Sequence, residues 1–234
     1  VLEGFYKVRF QVNDAVGRSV MYAHGGKMLG GNSAFAHYGT YQEAGGVVTS
    51  EITSHRHNED PNYKSLLGAD IATIDVKGSA DGDIYRFRGG SPQMPGAVFQ
   101  SVMTPITDEI VAPVEAVGNG GIVNGLYSIH IRMLDGVAGG LTGVMLLHDG
   151  RILGGDAFFY YLGSYTSANG RWKGQILNQE HTPAKGENPI FGGYEVGIGF
   201  SGTCDAQGAL LDATALAGKR SLRLTAVLKL MRPA

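Results

Sequence analysis

The residues able to do chemistry are few and unevenly placed. His55 and His57 stand two apart in Thr53-Ser54-His55-Arg56-His57-Asn58. On a strand both rings would share one face, and neutral imidazole is a zinc ligand. Glu59, Asp60, His24 or His37 could complete such a site. The competing reading is a half-buried histidine giving its ring N–H to a backbone carbonyl. Cys204 is the single cysteine, which excludes an intrachain disulfide and a Cys-rich zinc site. No Gly-x-Ser-x-Gly or other nucleophile signature occurs. Asp81, Asp83, Asp205 and Asp212 lie in polar, Gly-rich stretches without the spacing of a calcium loop, and read as solvated turn carboxylates. Arg86, Arg88 and Gly89-Gly90 make a small basic spot, too slight for RNA. The expectation is no catalytic residue, no cofactor and no metal.

A second element repeats: Gly30-Gly31-Asn32 and Gly154-Gly155-Asp156. As a phosphate cradle it would need a Gly-x-x-x-x-Gly-Lys-Ser/Thr pattern or a helix start, and neither follows. It reads instead as a structural turn or bulge where a Cβ would clash. Asn32 and Asp156 tolerate the geometry of such a turn.

That repetition belongs to a duplication of the whole chain. Shifting by 124 lays residues 24–41 over 148–165 with 8 of 18 positions identical, against about one expected from average usage. The same shift pairs His57 with His181, but puts Gln179 at the position of His55 and Tyr161 at that of His37. A metal would therefore bind one copy at most. A unit of this length is domain-sized and too long for a solenoid repeat. The reading is two domains, 1–106 and 122–234, joined by residues 107–121. That stretch has the Pro, Gly and acidic residues of an exposed link.

The elements that must position these residues are strands. Of 234 residues 37 are glycine, about 16%, roughly twice average usage. That weakens helices and serves turns. Tyr6, Val8, Phe10 and Val12 alternate with Lys7, Arg9 and Gln11. In the second copy Tyr127, Ile129, Ile131 and Met133 do the same, and the chain ends on Leu222, Leu224, Ala226, Leu228 and Leu230. Gly25-Gly26, Gly45-Gly46, Asp149-Gly150 and Asn169-Gly170 fit hairpin turns. Roughly eight strands per copy in sequential hairpins suggest a small up-and-down barrel, with one helical turn each in 61–68 and 184–192. Four successive aromatics, Phe158 to Tyr161, cannot all point inward. Phe158, Tyr160 and Tyr161 are expected to offer a partner-binding surface. A net charge of -2 argues against a nucleic-acid reader. No apolar run approaches the roughly 20 residues of a membrane helix, and the start has no signal-peptide pattern.

Each copy resembles the GrlR family, negative regulators of type III secretion gene expression. The resemblance rests on Gly4-Phe5-Tyr6, Gly30-Gly31-Asn32, Tyr38-Gly39-Thr40-Tyr41 and the strand into His57. Its second-copy residues are Gly125-Leu126-Tyr127, Gly154-Gly155-Asp156, Leu162-Gly163-Ser164-Tyr165 and His181. It implies a lipocalin-like eight-stranded barrel and a cytoplasmic bacterial regulator that silences a transcriptional activator by holding it, without touching DNA. The family's contact is an acidic run on the loop after the Tyr-containing strand. The matching loops here, Gln42-Glu43-Ala44-Gly45 and Thr166-Ser167-Ala168-Asn169, hold one carboxylate between them, so those contact residues are not carried over. The fold expected is all-β: two tandem lipocalin-like small antiparallel β-barrels packed as an intrachain pseudo-dimer. The function expected is a non-enzymatic regulatory protein that sequesters another protein. The alternative is a carrier of a small apolar ligand inside a barrel.

Overall fold

The computed structural model describes residues 1–61, 63–109, 111–134, 136, 140–184, 191 and 195–234. The chain divides into two compact units, Val1–Thr107 and Asp108–Ala234. The first holds β1 (Gly4–Val12), β2 (Ala15–His24), β3 (Lys27–Gly31), β4 (Phe35–Ala44), β5 (Val47–Arg56), β6 (Ile71–Asp81), β7 (Ile84–Ser91) and β8 (Met94–Pro105). The second holds β9 (Gly125–Met133), β10 (Gly140–His148), β11 (Arg151–Gly155), β12 (Phe159–Ala168), β13 (Arg171–Glu180), β14 (Val196–Cys204), β15 (Gly208–Ala217) and β16 (Arg220–Pro233). Within each unit every strand pairs antiparallel with its neighbour in sequence, and β8 returns to β1 as β16 returns to β9, closing two barrels. Closure leaves neither barrel an open edge.

The turns form where the sequence places them. Gly25 and Gly26 have φ of 56° and 80°, and Asn169 and Gly170 have 53° and 71°. Two successive positive φ values define the two-residue turn that matches strand twist, and Asn with Gly reach them at least cost. Among the described residues of 61–68 there is a turn and no helix. Most of 184–192 lies outside the described residues.

Each core is the inward half of the period-two pattern. Tyr6, Val8, Val12, Met21, Met28 and Tyr41 fill the first barrel. Tyr127, Ile129, Met145, Ile152, Tyr165 and Leu228 fill the second. The lone tryptophan, Trp172, is 2% exposed, lies 4.5 Å from the Phe200 ring and donates its indole N–H to the Leu210 carbonyl at 2.9 Å.

Most described residues of the connector 107–121 are exposed, and its last residues are tied down by hydrogen bonds. Val117 bridges Ser167, Gly118 donates to the Ser167 carbonyl at 2.8 Å, and Asn169 donates to the Asn119 carbonyl at 2.8 Å. Glycine permits this approach: a Cβ on Gly121 would lie 2.7 Å from the Ser167 oxygen. Residues 116–121 therefore lie along the β12–β13 hairpin of the second barrel.

Candidate functional site

The Gly-Gly-Asn/Asp element is a hydrogen-bonded turn in both copies. Gly30 lies so close to β2 that a Cβ would stand 2.1 Å from the Val20 oxygen, and Gly154 repeats this at 2.3 Å from Val144. Past the glycines, Asn32 Oδ1 accepts the N–H groups of Ala34 and Phe35 at 3.0 and 2.9 Å. Asp156 Oδ1 accepts those of Phe158 and Phe159, both at 2.8 Å. Short polar side chains make such turns because they reach the backbone two and three residues on.

The histidines at offset 124 serve the same turn. The backbone N–H of His57 donates to the Ala34 carbonyl at 2.9 Å, and its Nε2 lies 3.0 Å from the Asn32 carbonyl. His181 repeats both contacts, at 2.8 Å to Phe158 and 3.4 Å to Asp156. A carbonyl only accepts, so each ring carries its proton on Nε2. His55 is not brought beside His57. It points outward opposite Ala36, with the Tyr38 hydroxyl 3.4 Å from its Nδ1, because β5 ends at Arg56 and the alternation ends with it. His24 pairs with Glu3 at 2.9 Å. Among the described residues no three His, Cys, Asp or Glu side chains gather as metal ligands.

His37 is the unusual histidine. It sits on the inner face of β4, 7% exposed, with Phe10 edge-on at 6.0 Å, and neither ring nitrogen has a hydrogen-bond partner. Burial, with the nearby His57 ring, pulls its pKa down to about 4.

A second pair of staples escaped sequence reading. Glu3 accepts from the Gly25 N–H at 3.0 Å, from the Tyr41 hydroxyl at 3.0 Å, and meets His24 Nδ1 at 2.9 Å. Burial alone would raise its pKa, but the Gly25, Tyr41 and His24 contacts outweigh burial and lower it. In the second copy Asn124 takes this place, accepting from Asp149 N–H at 3.0 Å. Position before Gly-x-Tyr is the only signal that could have pointed to either.

The aromatic run does not form the outward patch expected. Tyr161 is 5% exposed and points into the barrel, where its hydroxyl donates to Asp156 Oδ2 at 3.0 Å. Phe159 also packs on the core. Tyr160 faces outward, but its hydroxyl is held by Asp108 and Gln179, and burial followed by Asp108 raises its pKa. Phe158 is half-buried, its N–H and carbonyl both used by the turn. Alternation was read correctly; the acidic residue 52 positions away that takes the Tyr160 hydroxyl was not visible. Beside Tyr161 the second barrel has an apolar pocket of about 30 Å³, lined by Ile129, Met145, Ile198 and Leu224 among others.

The outer faces of the two barrels differ where their cores agree. In the first, one row across the strands reads Arg86, Val102, Arg9, Arg18. The matching row of the second reads Leu210, Val227, His130, Thr142.

No family model matches the chain, and no curated protein does. Among solved structures it is similar to the crystal structure of a "putative outer membrane protein" from Bacteroides fragilis NCTC 9343. That match has 11% identity and a TM-score of 0.26, over 97% of this chain and 96% of that one. At that level the fold assignment stands on the chain's own strand pairing.

Proposed function

We propose that the protein is a non-catalytic regulatory protein that holds another protein on the outside of its barrels, resembling a negative regulator that sequesters an activator. The observation that carries this reading is the divergence of the outer row between copies. Leu210 and Val227 face each other across β15 and β16 and are 55% and 42% exposed, where the first copy has Arg86 and Val102. Apolar side chains paired across two strands and left in water favour contact with a partner.

Other features support parts of the reading. Charged residues such as Arg9, Lys77 and Lys173 face outward while the interiors are apolar. That is the reverse of a barrel that spans lipid. The net charge of -2 favours a protein partner over nucleic acid, and Cys204 held as a buried thiol fits the reducing cytoplasm. The carrier reading has less support. The pocket described in the second barrel, about 30 Å³, is well below the roughly 150 Å³ that takes up benzene.

The test is capture from a native lysate with the full chain as bait, run beside Leu210→Glu/Val227→Glu. A protein retained by the parent chain and released by the double variant supports the proposal. Retention of no protein, together with an apolar small molecule in the native mass spectrum of the gently purified chain, would overturn it in favour of the carrier.

A further inference from the structure

Two pairs of cations stand directly opposite each other on the outside of the first barrel: Arg9 against Arg18 across β1 and β2, and Lys77 against Arg88 across β6 and β7. Directly opposed like charges destabilise an antiparallel pair, so the fold alone gives no reason for them. The register places them in adjacent rows. One is Arg86, Val102, Arg9, Arg18, and the other is Lys77, Arg88, Gln100, Gln11, Val16. Four strand spacings of about 4.8 Å make this face roughly 19 Å across.

Asp81 holds Arg86 at 2.8 Å, Asp75 lies on the outer side of β6, and Asp14 lies in the β1–β2 turn. Among the described residues Arg9, Lys77 and Arg88 are exposed and have no carboxylate within ion-pair distance. The second barrel shows that the architecture does not require cations here. Its matching second row is Ser201, Asp212, Thr225, Arg132, Gly140.

We propose that this face of the first barrel binds an acidic protein segment, with carboxylates interleaved with apolar side chains. The proposal rests on the protein-binding reading above and adds the chemistry of the partner. Arginine forks match carboxylates with two parallel bonds. Val102 between Arg86 and Arg9, and Val16, 40% exposed at the end of the other row, give apolar groups a place between the charges. Neither row carries an aromatic ring on which a nucleic-acid base could stack. The closed barrel offers no edge for strand addition, so side chains must do the recognising.

The probe is a labelled peptide of alternating Glu and Leu, titrated into the full chain beside a single-stranded RNA of equal charge. The expected result is peptide binding that weakens with salt and falls about tenfold or more in Arg9→Glu/Arg88→Glu. The same variant should unfold at a higher temperature, because each change turns a repelling pair into an attracting one. That rise separates loss of binding from loss of fold. Tighter binding of the RNA than of the peptide overturns the proposal in favour of a nucleic-acid partner. Equal peptide binding by variant and parent overturns it outright. A protein captured from lysate and retained by Arg9→Glu/Arg88→Glu sinks this proposal alone, whereas an empty capture sinks the protein-binding reading with it.

Discussion

The hydroxyl of Tyr161 donates to Asp156 Oδ2 at 3.0 Å inside the second barrel. The first barrel has His37 and Asn32 at these positions, and there the bond is missing. Asn32 accepts two backbone N–H groups at Oδ1 and donates from Nδ2 to the Arg18 carbonyl at 3.0 Å, and none of these bonds reaches the imidazole. The duplication thus kept the turn and lost the partner of the residue above it.

His37 makes the first barrel sensitive to acid. Its native pKa is about 4 against 6.5 in the unfolded chain. Between those values the unfolded chain binds a proton that the native state refuses, so stability falls as pH drops from 6.5 toward 4 and levels off below. The whole span is worth about 3 kcal/mol. His37→Phe removes the titrating group and an unpaired buried polar ring. Urea unfolding followed by far-ultraviolet circular dichroism at pH 7 and pH 4.5 should show a smaller acid loss in the variant than in the parent chain. Parallel losses would refute the assignment.

Two tyrosines at equivalent positions should respond in opposite ways. Tyr41 donates to the Leu2 carbonyl at 2.5 Å and to Glu3, and burial, with the Glu3 contact, pushes its pKa up to about 12. Tyr165 is 1% exposed and its hydroxyl has no partner, because Asn124 replaces Glu3 and is tied to Asp149. Tyr41→Phe should cost about 1–2 kcal/mol, whereas Tyr165→Phe should cost nothing or stabilise. Trp172, 6.2 Å from Tyr165, reports the second barrel by fluorescence. A larger loss for Tyr165→Phe than for Tyr41→Phe in chemical denaturation would contradict this account.

The contrast shows what could be read from the chain alone. Asn169-Gly170 and Gly25-Gly26 announce their turns because positive φ is a property of single residues. Tyr127, Ile129 and Leu228 announce the core because alternation is local. Whether Arg9 meets Arg18, or Tyr160 meets Asp108, depends on register and on chain far away, and neither leaves a local mark. His57 was legible as a carbonyl-bonded ring through its copy, His181. His37 was not, because its copy is a tyrosine that solves the same position with a different bond.

The Asx turns allow the sharpest test of the duplicated architecture. Asn32 and Asp156 are 6% and 5% exposed, so truncating either to alanine strands two backbone N–H groups, buried in the first copy and part-buried in the second, at a cost of about 1–3 kcal/mol. The exchange variants should not be symmetric. In Asp156→Asn, Oδ1 keeps both N–H groups and Nδ2 can donate to the Tyr161 oxygen, which is able to accept. In Asn32→Asp, the donor to the Arg18 carbonyl becomes a second oxygen, so two acceptors face each other in a buried site. Urea titrations of the two exchanges, read by circular dichroism, should show Asp156→Asn within about 1 kcal/mol of the parent and Asn32→Asp as costly as the alanine variant. Equal tolerance of both exchanges would mean that the Asn32 amide does not bear on the β2 carbonyl, and that the two turns are held by their N–H acceptors alone.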